Sequence, residues 1–163
     1  MKTKTTQSKT PATAAPWPLH IQSILVPLDF SPPARQALAA AVAFARRFKA
    51  KLTLLHVVEP VAMPDFVASS PLVLENDQLM AAAKQALASM VKAAKIPRGT
   101  VEKLLVRSGS AFHEIAGAAG TLKVDLIIIS THGYTGLKHV LLGSTTERVV
   151  RHAPCPVLVV RQH

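Results

Sequence analysis

Between residues 24 and 160, short apolar runs alternate with segments whose apolar residues recur every three or four positions, and few folds accommodate that alternation. Runs of this kind, rich in branched aliphatics, are strands buried on both faces. Five are present: Ile24 to Leu28, Leu52 to Val58, Val101 to Val106, Asp125 to Ile129 and Pro156 to Val160. Strands that alternate with helices imply a parallel sheet covered on both sides, with right-handed crossovers. The Asp125 run is the most hydrophobic and reads as central. The Val101 run carries Glu102 and Lys103 and reads as nearer an edge.

The intervening segments carry helix signals. Ser31 followed by Pro32 and Pro33 is a favoured N-terminus. Ala37, Leu38, Ala41, Ala45 and Phe48 then repeat as one helical face, and Arg46, Arg47, Lys49 and Lys51 close the helix with charge that complements its dipole. Residues 59–74 hold three prolines and read as a long loop. Asn76 or Asp77 is the expected cap of a second helix to about Ala94, with Leu79, Met80, Ala83, Leu87 and Met90 inward. Ser108-Gly109-Ser110 turns into a third helix with Phe112, Ile115, Ala116 and Ala119 inward. A last helix is predicted over Thr145 to Arg151.

At 163 residues the chain reads as one domain over 20–163 behind a flexible Thr-, Lys- and Pro-rich tail over 1–19. Hydrophobic residues make up 49%, enough for a sizeable core. The formal charge of +10 favours an anionic partner without choosing among nucleotide, nucleic acid and membrane surface. A nucleic-acid partner ranks last, because the chain offers neither a recognition helix rich in Arg, Asn or Gln nor stacking aromatics. The single cysteine, Cys155, reads as a small buried side chain. No apolar run reaches a membrane span and no secretory h-region is present, so the expectation is a soluble cytoplasmic protein with no membrane partner.

In a sheet of this type ligands sit beyond the carboxyl ends of the strands, where the strand order reverses. Asp29, His56 with Val57, and Ser130 onward lie at such ends. His56 reads first as a satisfied core histidine. The strongest signal is Ser130-Thr131-His132-Gly133, nine residues, then Gly143-Ser144-Thr145-Thr146-Glu147. Glycine lets backbone N–H groups approach an anion closely, and a helix opening at Gly143-Ser144 adds its first amides and dipole. A structural alternative remains open: Ser144-x-x-Glu147 is also a capping box, which accounts for both residues without a ligand. No Walker A or G-x-G-x-x-G pattern occurs. No metal-ligand spacing and no catalytic constellation emerges.

The run STHGYTGLKHVLLGSTTERVVRHAPCPVLVV resembles the C-terminal signature of universal stress proteins, and ILVPLDFSPPARQAL and LTLLHVVEP resemble their first strands and helix. The resemblance spans about residues 22–161. It implies an α/β doubly wound five-stranded parallel sheet of order 3-2-1-4-5, a homodimer formed through the final strand, and ATP as ligand, with Mg2+ as its candidate companion. The family pattern G-x2-G-x9-G-(S/T) is matched at Gly133, Gly143 and Ser144 and departed from at Ser130, where the family has glycine. The correspondence puts Asp29 and Val57 near adenine, with Pro27 and Leu28 in the same binding set. It puts Ile129 and Ser130 near ribose, and His132, Gly133, Gly143, Ser144 and Thr145 at the phosphates. A stress-response or regulatory ATP-binding module is the first functional reading. A dimerisation module without nucleotide and a weak ATPase are the alternatives.

Overall fold

The computed structural model describes residues 20–60, 72–131 and 143–161, with the backbone alone for 72–76. Nine elements follow in chain order: β1 (Ser23–Pro27), α1 (Pro32–Phe48), β2 (Lys51–Val58), α2 (Leu72–Ala93), β3 (Val101–Ser108), α3 (Ala111–Leu122), β4 (Leu126–Ser130), α4 (Ser144–His152) and β5 (Val157–Val160). The strands form one parallel sheet of order β3-β2-β1-β4-β5, as expected. The tail over 1–19 and the loop residues His132 and Gly133 lie outside the described residues.

The period-2 alternation of the strands divides the core. Ile24, Val26, Leu52, Leu54, Leu126 and Ile128 face α1 and α2, where Ala34, Leu38, Ala41, Ala45 and Leu87 meet them. Leu25, Leu55, Ile127 and Ile129 point the other way, onto Ile115, Ala118 and Ala119 of α3 and Val149 of α4. Each fully buried aliphatic side chain contributes about 1.5–3 kcal/mol relative to exposure. The small residues along α1 let it lie close to the sheet.

Ser31 caps α1 as read: its side chain accepts from the Ala34 N–H at 3.2 Å, with Pro32 and Pro33 in the first turn. Lys49 ends the helix in a left-handed conformation, with Arg46 and Arg47 in the last turn. Lys51 is not part of that cluster. It opens β2, and its ammonium donates to the Gly99 carbonyl at 2.6 Å. Gly109, at φ 148°, makes the turn into α3.

Two helix readings are corrected. The second helix starts at Leu72 rather than behind an Asn76 or Asp77 cap. Asp77 is exposed and sits inside the helix with no polar group buried, so nothing forces a start there. Its inward stripe is centred on Met80, Ala83, Leu87 and Met90, and helical spacing carries Leu79 to the margin, where it is 55% exposed. In α3, Ala118 is buried in place of Ala116, because the inward face is centred on Ile115, Ala118 and Ala119. β3 is an edge strand, and a register shift between Leu52/Val101 and Thr53/Lys103 leaves Glu102 as its extra residue.

Asp125 ties the sheet together just before β4. Its Oδ2 accepts from the backbone N–H groups of Gln22 and Ser23, both at 2.8 Å, and its own N–H donates to the Ser23 carbonyl at 2.9 Å. The carboxylate therefore holds the start of β1 against the start of β4. Asp125→Ala is expected to lower unfolding stability by about 1.5–3 kcal/mol in urea titration, the scale of hydrogen bonds to a charged group. An unchanged midpoint would mean that the apolar pairing alone sets this register.

Candidate functional site

The strand order reverses between β1 and β4, and α1 and α4, the helices that follow these strands, pack on opposite faces. A cleft of about 300 Å³ opens at that point, at the lower end of the range for small-molecule sites. Nine of the residues singled out from the sequence line it: Pro27, Leu28, Asp29, Val57, Ile129, Ser130, Gly143, Ser144 and Thr145. The strand ends supply the first six and the start of α4 the rest. Leu55, His56, Glu59, Ala111, Ile115 and Thr146 line it too. None of these six was singled out as a binding residue from the sequence.

The β1 end of the cleft is held rigidly. Phe30 has φ 65°, an uncommon conformation for a bulky side chain, and its ring lies 4.3 Å from the His56 ring. The His56 Nδ1 is 2.7 Å from the Leu28 carbonyl oxygen, so His56 is the satisfied histidine expected of a strand end. Asp29 Oδ1 accepts from the Ser31 N–H at 3.1 Å and from the Ser31 hydroxyl at 2.5 Å. Asp29 thus steadies the α1 cap through one oxygen. That is the structural role open to it from sequence, and it is compatible with a second role for the other oxygen.

The α4 end differs from the capping box. Gly143, with φ −68° and ψ 150°, is the N-cap, and no side-chain cap hydrogen bond is made there. The Gly143 N–H donates to the Thr131 carbonyl at 2.8 Å and residue 143 stays extended, so the helix starts at Ser144, one residue earlier than a Ser144 cap would place it. Glu147 does not reach back to the cap. It accepts instead from Arg151, at 2.9 Å through Nη2 and 3.2 Å through Nε. The Ser144 hydroxyl therefore has no capping duty and lies exposed on the cleft. The amides of Ser144, Thr145 and Thr146 are the first-turn N–H groups that an α-helix leaves without intrahelical partners. With the helix dipole they make a place for an anion at the mouth of the cleft. The dihedrals of Gly143 do not require glycine, so what that residue offers is the space of a missing Cβ.

The first turn of α4 is clamped to β4. The buried Thr146 hydroxyl donates to the Ser130 carbonyl at 2.8 Å. Ser130 is not among the residues with positive φ, so serine occupies this position without backbone strain. No sequence signal marks the Thr146 clamp, because its partner is set by tertiary approach. Cys155 is half-buried away from the cleft. Burial, and then the nearby Asp125 carboxylate, push its thiol pKa up, which keeps it protonated and unreactive at neutral pH. Among the described residues no cluster of His, Cys, Asp or Glu could hold a metal ion, and no helix is long and apolar enough to cross a membrane.

The chain matches the universal stress protein family model over residues 20–161. It is 33% identical over 141 residues to the universal stress protein MJ0531 of Methanocaldococcus jannaschii, a match that covers 86% of this chain and 82% of that one. It is similar to the solved universal stress protein UspA from Lactobacillus plantarum at 33% identity and a TM-score of 0.75, covering 87% and 99% of the two chains. A universal stress protein solved in complex with cAMP has the same fold, at 23% identity and a TM-score of 0.61, covering 87% and 98%.

Replacing Thr146 by valine keeps its shape and removes the clamp. The expected cost is about 1 kcal/mol of unfolding stability, with Thr146→Ser close to wild type. Chemical denaturation of the two variants reads this directly. Equal losses in both would assign the effect to packing rather than to the hydroxyl.

Proposed function

This chain belongs to the universal stress protein family, and from that premise we propose that it binds ATP in the cleft at the β1–β4 reversal, as a regulatory or stress-response module. The observation that carries the reading is at the start of α4. Ser144 is left without a capping role on a helix N-terminus that opens into a cleft lined by Asp29, Val57 and Ile129. A structural capping box would have engaged that hydroxyl and the Glu147 carboxylate. Neither is engaged in that way.

In this reading the adenine lies between Asp29 and Val57, beside Pro27 and Leu28. The ribose passes Ile129 and Ser130. The phosphates meet the Ser144 and Thr145 amides and the Ser144 hydroxyl, with Gly143 leaving room for them. The Gly143 N–H is engaged with Thr131 and contributes no donor. His132 and Gly133 complete the phosphate side as the family pattern implies. Magnesium, if it accompanies the triphosphate, is held mainly by phosphate oxygens and water.

A second copy of the chain is proposed to pair along β5, the sheet edge where Val157–Val160 is only half-buried. Residence in the cytoplasm belongs to the same proposal.

Calorimetric titration tests the nucleotide claim, with cAMP as the comparison ligand. ATP should bind wild type. Ser144→Ala should weaken it roughly tenfold, because a hydrogen bond to a charged phosphate is worth about 1.5–3 kcal/mol and 1.4 kcal/mol is one decade. The same variant should melt with wild type, since Ser144 caps nothing. Ser130→Gly, which restores the family glycine, should bind equally or more tightly. No binding by wild type or Ser130→Gly at millimolar ATP would leave the dimerisation module as the reading.

A further inference from the structure

The cleft has two helix N-termini on its wall, and they are in different states. At α3 the Ala111 N–H already donates to a carboxylate: Glu59 Oε1, 2.8 Å away and 52 residues earlier in the chain. At α4 no side chain among the described residues takes that place. A carboxylate fixed on the first-turn amide of a helix occupies the position an anion would seek, and it repels a second anion. The α3 end of the cleft is therefore closed to phosphate, and the α4 end is open to it.

The charged groups that line the described part of the cleft are both acids, Asp29 and Glu59. Each is pinned through one oxygen, Asp29 by Ser31 and Glu59 by Ala111. The lining is mostly apolar, and its polar groups divide into carboxylate acceptors at the ends of β1 and β2 and amide donors at the start of α4. A ligand that matches it presents N–H or O–H donors to one end and negative charge to the other. A nucleotide does so, through its base amine, its sugar hydroxyls and its phosphates. With Asp29 assigned to the base, the hydroxyls are the donors that remain.

On this basis, which rests on the nucleotide reading above, we propose that Glu59 is a specificity-determining residue: its second carboxylate oxygen accepts from the sugar hydroxyls of the bound nucleotide. The site is then selective for ribonucleotides, and Glu59 fixes which way round the ligand lies. A carboxylate at the end of the second strand that reads a ribose diol is a chemically sound arrangement, because an ionised acceptor takes both hydroxyls in charge-assisted bonds.

The test compares ATP with 2′,3′-dideoxy-ATP by calorimetric titration on the full chain, wild type and Glu59→Gln. Wild type should prefer ATP roughly tenfold, the decade that corresponds to about 1.4 kcal/mol. In Glu59→Gln the amide oxygen can still accept from Ala111 while its NH2 group replaces the acceptor, so the preference should fall to about twofold or less. The wild-type comparison involves no substitution, so it stands even if the variant folds poorly. Equal wild-type affinity for the two nucleotides would overturn the role of Glu59 while leaving ATP binding intact, as would a preference undiminished in Glu59→Gln. Absence of binding by either nucleotide at millimolar concentration would overturn the nucleotide reading itself and this role with it.

Discussion

β1 lies between β2 and β4, and its hydrogen bonds to both convert two βαβ units into one sheet. The chain runs outward from β1 through β2 to β3, then crosses back to β4 on the far side. That return puts α1 and α2 on one face and α3 and α4 on the other. It also sends α1 and α4 to opposite sides of the sheet, and the cleft lies at the ends of β1 and β4 beside the start of α4. The pairing is short, with Ile24 against Leu126 and Leu25 against Ile127. Asp125 reinforces it with two backbone bonds at its lower end, and Thr146 fixes α4 to β4 at its upper end. The site is thus positioned by the most buried part of the molecule.

Electrostatics then differentiates the two ends of the cleft. Both α3 and α4 direct first-turn amides at it, but Glu59 occupies the Ala111 amide of α3, and no described side chain caps α4. Glu147, which could have opposed an anion at α4, is drawn to Arg151. These are local hydrogen-bond choices of about 1–3 kcal/mol each, small beside the energy of the core. They determine what the cleft can accept, whereas the core determines that a cleft exists.

The β3 edge and the two-faced core were legible because they follow from patterns in single stretches of chain, whereas the strand order came from the family resemblance. The run read as central, Leu126–Ile129, is apolar throughout and lies inside the sheet, but the middle strand is β1; Glu102 and Lys103 do mark an edge. Nine of the eleven residues expected at the site line one cleft: strand ends and the loop-to-helix junction pointed to Asp29, Val57, Ser130, Gly143 and Ser144, and the family resemblance supplied the rest. The start of α2 was missed because the three prolines of residues 59–74 read as one long loop, and a solvent-facing Asp77 is tolerated within the helix. The capping box at Ser144 was misread because the decisive bond, Gly143 N–H to the Thr131 carbonyl, closes across a loop. Glu59 and Thr146 were invisible for the same reason. Their partners, Ala111 and Ser130, are brought to them only by the folded sheet.

The central claim is that this cleft takes an adenine nucleotide with its phosphates on the start of α4. Backbone amide shifts in a 15N correlation spectrum, followed during titration with ATP, test it most directly. The account predicts the largest changes at Ser144, Thr145 and Thr146, with a second group at Asp29 and Val57, and little change along β3 or the exposed face of α2. Changes confined to surface lysines and arginines, or centred on the α3 terminus at Ala111, would contradict it.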